Sequence, residues 1–370
     1  MTAAPTRRRA SLEPAPPFPA GRALLRERGG RASYRLEFDV RTAYDFVISL
    51  ASYDDEHGYD RLPEDERWLA ASRAALSEAQ RRDLDLTFGK SGLGYRMLSL
   101  AFLHPEVRDA RSLVELLATM PAPDYARAVL ELELSNPEIA PLLERSLAGD
   151  RSALRVLGRH LPEGHAVRIV QLLRDPEAAV QRLRGLLGAW LPHFEAVEPR
   201  LRQILERDLE LRRVDRETLP PDELIERTTG GLRFVPDPRV QRVVLAPSYF
   251  ERPFNEVEAG HGWRLFCYPV ADAALPAVDE LAPPPQVLRL FRALGDASRL
   301  RILRLLADQD LYLTEIAQAL ELSKPTIKHH LAQLRAAGLV TVVEERNLTY
   351  YSLRRERLQE AGTDLRGYLG

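Results

Sequence analysis

Cysteine occurs once in the 370 residues, at Cys267, so no disulfide can form within the chain. Lysine is almost as scarce: 3 of the 52 basic residues are lysines, Lys90, Lys324 and Lys328, and the rest are arginines. No run of about 18 apolar residues occurs, which argues against a membrane-spanning helix. The opening stretch MTAAPTRRRASLEPAPPFPA is basic but lacks the apolar block of a secretory signal, and the cytoplasm is the expected compartment. A further absence is local. From Leu322 to Val343 there is no Asp or Glu, in a chain that carries 54 of them against 52 basic residues.

Length and composition suit two or three packed domains, with 45% of residues apolar. Residues 1–32 read as a disordered Pro- and Arg-rich tail. YRLEFDV (34–40) alternates like a strand, and Tyr44, Val47, Ile48 and Ala51 follow at helical spacing. From residue 63 to 211 the pattern is helical almost throughout, with Pro121, Pro123, Pro137, Pro162, Pro176 and Pro192 expected to end segments. Strands are expected near 232–270, in GGLRFVPDPRVQRVVLAPS and GWRLFCYPV. Pro283, Pro284 and Pro285 form a stiff break. The fold class is therefore mainly α with small β elements (α+β). The expected domains are a helical regulatory or dimerisation domain over 33–282 and a second domain over 285–370.

The second domain carries 13 basic against 10 acidic residues, and the remainder 39 against 44. This modest asymmetry hints at a polyanionic partner for the tail end. QVLRLFRALG is an amphipathic helix; Asp296 is placed to cap ASRLRILRLLA, whose apolar face draws on Leu300, Ile302, Leu303, Leu305 and Leu306. LYL makes a short strand and TEIAQAL a short helix. Ser323 caps a longer helix with Pro325 in its first turn, running to Gly338. LVTVVEE and NLTYYSL alternate as two antiparallel strands, and RRERLQEAGTDLRGYL closes as a helix. This order describes a winged helix-turn-helix.

ALGDASRLRILRLL, LTEIAQALELSKPTIKHHLAQLRAAGLV and the closing YYSL resemble the DNA-binding domain of ArsR-type bacterial transcriptional repressors. The upstream region is loosely similar to the large N-terminal extensions of some actinobacterial-type regulators. On the helix from Ser323, Ile327, Leu331 and Leu334 form a core stripe. Ser323, Lys324, Thr326, Lys328, His329 and Gln333 are the candidate DNA contacts, small or cationic enough to enter a major groove roughly 12 Å wide. An acid there would face phosphate oxygens, which gives the acid-free stretch a reason. The bland reading, a solvated helix face, loses ground inside a complete winged-helix pattern. His329 and His330 point about 100° apart, so they cannot chelate one metal; His330, beside the core stripe, reads as structural. Arg346, Asn347 and Tyr350 are the wing candidates.

The expected partners are double-stranded DNA, read as an inverted repeat, and a second copy of the chain. The resemblance implies dimer contacts through QVLRLFRALG and the last helix. It also places the metal-binding cysteines of many relatives at Tyr312 and Thr314, neither of which holds a soft metal. No histidine follows His330 to build the alternative site on the last helix. No cofactor and no metal are expected. Control falls to residues 33–282, through a small-molecule effector or a protein partner. Asp54, Asp55, Glu56, His57 and Asp60 could hold a cation but are more simply a polar loop. Gly89-Lys90-Ser91 misses a phosphate loop because Leu84 stands where glycine is required. With no nucleophile elbow, zinc spacing or dinucleotide fingerprint, a regulator, read as a repressor, outranks an enzyme fused to a DNA-binding domain.

Overall fold

The computed structural model describes residues 34–52, 60–89, 92–161, 163–276, 281, 283–345 and 348–369. The tail 1–32, the polar residues Asp54, Asp55, Glu56 and His57, the pair Lys90 and Ser91, and the wing-tip residues Arg346 and Asn347 lie outside them.

The fold is mainly α with two small sheets. In the first sheet, β1 (Arg35–Phe38), β3 (Arg242–Ser248) and β5 (Trp263–Pro269) run parallel, and β4 (Glu256–Gly260) closes the edge antiparallel to β5. VVLA and LFCY are continuous apolar runs because both faces of this sheet are covered. Val244, Ala246, Leu265 and Cys267 face the main helical core. Val243, Leu245, Phe266 and Tyr268 face a smaller cluster with Tyr34 and Ile225.

Helix α1 (Thr42–Ala51) passes through the main core with every residue buried, Asp45 and Ser49 included. Helix α2 (Pro176–Leu211) is the longest element, 36 residues, and buries Leu186, Leu187, Trp190, Phe194, Leu201 and Leu205. It corrects one expectation: Pro192 does not end a helix but lies inside α2, as does Pro199. Proline in a helix interior costs roughly 3 kcal/mol. Burial of Trp190 and Phe194, on either side of Pro192, offsets that cost and holds the helix continuous. Pro121, Pro123 and Pro176 sit at helix starts, where the missing N–H is harmless.

After Pro284 the chain forms α3 (Pro285–Leu294), α4 (Ala297–Leu306), β6 (Leu311–Tyr312), α5 (Leu313–Leu320), α6 (Lys324–Ala336), β7 (Val340–Glu345), β8 (Leu348–Leu353) and α7 (Arg355–Leu369). Asp296 caps α4 by accepting from the Arg299 N–H at 2.9 Å. Ile302, Leu303, Ile316, Leu320, Ile327, Leu331 and Leu334 share one core. Leu300 is not part of it: the side chain is 48% exposed. The turn between α5 and α6 places Glu321 in the left-handed region, φ 56° and ψ 38°. Gly338, φ 69°, ends α6 where a side chain would be strained.

A short strand joins the two parts. β2 (Leu232–Arg233) pairs parallel with β7, Leu232 opposite Val342 and Arg233 opposite Val343, so the wing sheet has the order β2-β7-β8-β6. Gly231 makes this approach feasible: its φ is 119°, and an added Cβ would meet the Val340 carbonyl oxygen at 3.1 Å. Arg354 donates to the carbonyls of Gly230 and Gly338. Arg289 pairs with Asp60 and, at 2.9 Å, with Asp272.

Candidate nucleic-acid interface

Ser323 starts α6 by accepting from the Thr326 N–H, and the two hydroxyls lie 2.7 Å apart. Pro325 occupies the first turn without losing a hydrogen bond. Ile327, Leu331 and Leu334 then fall on one face, 0–1% exposed, and fasten the helix to α4 and α5. That fixes what points outward. Ser323, Lys324, Pro325, Thr326, Lys328 and His329 are exposed, and Gln333 is half-buried. Among the described residues, no carboxylate forms an ion pair with Lys324, Lys328 or His329. The start of α6 is therefore an open cationic surface with the positive end of the helix at its tip.

His330 turns the other way. Its ring is half-buried, Nδ1 lies 4.0 Å from Asp296, and burial lowers its pKa below the ordinary value. It is an uncharged support at neutral pH, while the His329 ring stands 6.0 Å away on the open side. In the wing, Tyr350 pairs with Val343 across the ladder, and its ring meets Tyr312 edge-on at 6.2 Å. Its ring is thus engaged at the base of the wing.

The last turn of α6 has a different setting. Arg335 donates to the Asn255 carbonyl at 3.3 Å, across to the residues that carry β4. Beneath it lie Glu251 and Glu256. Glu251 is 3% exposed, with Oε2 lacking a hydrogen bond. Burial pushes the carboxyls of both well above the usual range; each also raises the other or is raised by a neighbouring acid, and Arg335 pulls them back. Glu258, bonded to the Ser99 hydroxyl at 3.3 Å, is pushed up to about 7 by burial against the opposing pull of Arg96. The Cys267 thiol in the adjoining strand is driven up by burial and then by these acids, so it is an inert core group. The alternation in NEVEAG could have signalled β4, but its inward positions are glutamates, the reverse of an apolar-in pattern.

This geometry, a capped helix with an open cationic start, a short supporting helix and a two-stranded wing, defines a winged helix-turn-helix protein. The family described as bacterial regulatory protein, arsR family, matches residues 296–342. The chain is similar to the HTH-type transcriptional regulator KmtR of Mycobacterium tuberculosis, 33% identical over 78 residues, 21% of this chain and 60% of that protein. It is 39% identical over 89 residues to the arsenic resistance transcriptional regulator ArsR1 of Pseudomonas putida, covering 24% of this chain and 67% of that one. To the transcriptional repressor SdpR of Bacillus subtilis it is 36% identical over 72 residues, 20% of this chain and 80% of that one. The chain belongs to the arsR family of bacterial regulatory proteins through its C-terminal region. The N-terminal extension matches no family. The chain spans 60% of the length of KmtR and 67% of that of ArsR1. No helix among the described residues is long and apolar enough to cross a membrane.

Proposed function

We propose that the protein is a cytoplasmic transcriptional repressor that binds an inverted-repeat operator as a homodimer. Residues 285–370 form the DNA-reading domain and residues 33–282 a domain for control rather than catalysis. The observation that carries this reading is the open, acid-free start of α6, rigidly backed by Ile327, Leu331 and Leu334. Lys328 and His329 take the base edges and nearby phosphates; Ser323, Lys324, Thr326 and Gln333 flank them; Arg346, Asn347 and Tyr350 extend the contact through the wing. The dimer is supported by apolar side chains left uncovered on α3 and α7: Leu288 is 37% exposed, Phe291 44% and Leu358 36%. Two copies would double the read sequence.

The test is selection of genomic fragments with the purified protein, then binding of the selected duplex by wild type and by Lys328→Ala, His329→Ala. The double variant should bind its selected duplex at least about 30-fold more weakly, from two lost contacts of about 1–3 kcal/mol each. Its melting temperature should be unchanged. Undiminished binding would overturn the assignment of α6.

A further inference from the structure

Among the described residues no strand covers the outer edge of β4, where the order β1-β3-β5-β4 ends. A cleft of about 270 Å³ lies between that edge, the turn Gly94–Arg96 and the helix Ala122–Val129. Its walls mix acids with apolar groups: Glu131, Glu256 and Glu258 with Tyr95, Val129 and Leu132. Alternate positions on a strand share a face and stand about 7 Å apart, so Glu256 and Glu258 form a spaced row. Glu131 continues the row just past the strand end. Its Oε1 accepts from the His261 N–H at 3.0 Å, and its Oε2, closed off from solvent, has no hydrogen-bond donor. Among the described residues no three acids converge closely enough to hold a metal ion.

The acids outnumber the cations that face them. Glu131, Glu133, Glu251, Glu256 and Glu258 gather at and beside the cleft, against Arg96 and Arg335. Arg96 pairs with Glu133 at 2.6 Å. Among the described residues no cation stands within ion-pair distance of Glu131, Glu256 or Glu258. Burial instead favours their protonated forms, pushing Glu258 up to about 7 and raising Glu256 as well. A bound cation would take the place of those protons.

We propose that this cleft binds a linear aliphatic polyamine, with its ammonium groups on Glu131, Glu256 and Glu258 and its methylene links against Tyr95, Val129 and Leu132. At roughly 30 Å³ per water, the space equals about nine waters, enough for a chain of about ten heavy atoms. The polyamine is then the effector of the controlling part. Asn255, which adjoins Glu256, accepts from Arg335 in the last turn of α6, so occupancy at β4 is felt at the DNA-reading helix. Only this consequence rests on the DNA-binding reading above.

The test uses the full chain with spermidine as the probe, by calorimetry and thermal unfolding at constant ionic strength. DNA is left out because a duplex itself attracts polyamines. At pH 8, spermidine near 100 times its dissociation constant should raise the melting temperature by about 5 °C. The ionised carboxylates are the binding form, so affinity should rise about tenfold from pH 6 to pH 8, with protons released on binding. Glu131→Gln and Glu258→Gln, which keep size and shape, should each weaken binding about tenfold. Leu132 is 49% exposed, so Leu132→Lys is tolerated by the fold; it keeps every acid, puts a competing ammonium on the cleft wall and should lower affinity as much. Four results would each overturn the proposal: no shift beyond that given by sodium chloride, undiminished binding by all three variants, affinity that does not rise with pH, or magnesium or butylamine binding as tightly as spermidine. Lys328→Ala, His329→Ala should still bind spermidine normally. A protein that binds spermidine but no DNA would refute the DNA reading and leave the cleft standing; one that binds DNA but no spermidine would sink the cleft alone.

Discussion

In the part before residue 285, Asp45, Asp65, Glu198, Asp208 and Glu251 are all buried, whereas from 285 onward Thr341 is the one polar side chain buried among the described residues. The buried acids act as connectors. Asp45 on α1 accepts from the Ser248 hydroxyl and from the N–H groups of Tyr249 and Phe250, fixing the loop after β3. Asp208 on α2 accepts from the Tyr268 hydroxyl and the Ala271 N–H, fixing the end of β5. Glu198 takes the Thr42 hydroxyl and the Ala110 N–H. Each joins segments far apart in sequence, where apolar contact alone would leave register loose. The winged helix needs no such ties: its elements follow one another directly, and helical spacing with two caps sets the packing. The N-terminal part should therefore be the more sensitive to charge and pH above pH 5, where its buried acids titrate.

Asp45→Ala should have the largest effect. It leaves three donors unmatched in a dry site, and a cost of about 3 kcal/mol is expected in denaturant unfolding. A loss below about 1 kcal/mol would break the contrast. The pH dependence of stability is next. Burial raises Asp45 to about 6 and Glu258 to about 7, with Glu251 and Glu256 raised as well. Unfolded carboxyls titrate near 4. Between about pH 4 and 7 the native state holds protons that the unfolded chain has released, so stability falls as pH rises. A loss of about 1 kcal/mol or more is expected between pH 5 and 8, readable as a lower melting temperature. Glu258→Gln should flatten the upper part of that profile; an unchanged slope would remove Glu258 from the account. The smallest effect sharpens the other side. Glu321 is exposed and left-handed, so Glu321→Gly should stabilise the protein by up to about 1 kcal/mol, equally at pH 5 and pH 8.

Legibility followed the same division. In the winged helix the periodic leucines, Asp296, Ser323 and Gly338 are local signals, and the elements fall where those residues put them. Leu300 was misplaced because a five-residue apolar stripe is wider than the face α4 buries. In the N-terminal part, the strands VVLA and LFCY were readable, but their parallel pairing was not, since it depends on partners far apart in the chain. β4 escaped notice because Glu256 and Glu258 take its inward positions. Pro192 misled because tertiary burial around Trp190 and Phe194 outweighs a local penalty. Within the candidate interface, the open side of α6 could be read from spacing. The seam at Arg335 could not, since its other half lies 80 positions upstream, at Asn255.

The pairing of Leu232 and Arg233 with β7 bears on how the molecule could be dissected. An edge strand with unmatched amides invites other chains, and here the outer rim of the wing is sealed by residues lying more than 50 positions before the winged helix begins. A fragment cut at the triple proline would keep its whole hydrophobic centre yet lose that seal. Such a piece should be prone to self-association through the uncovered rim, and restoring residues 229–234 in trans should suppress it.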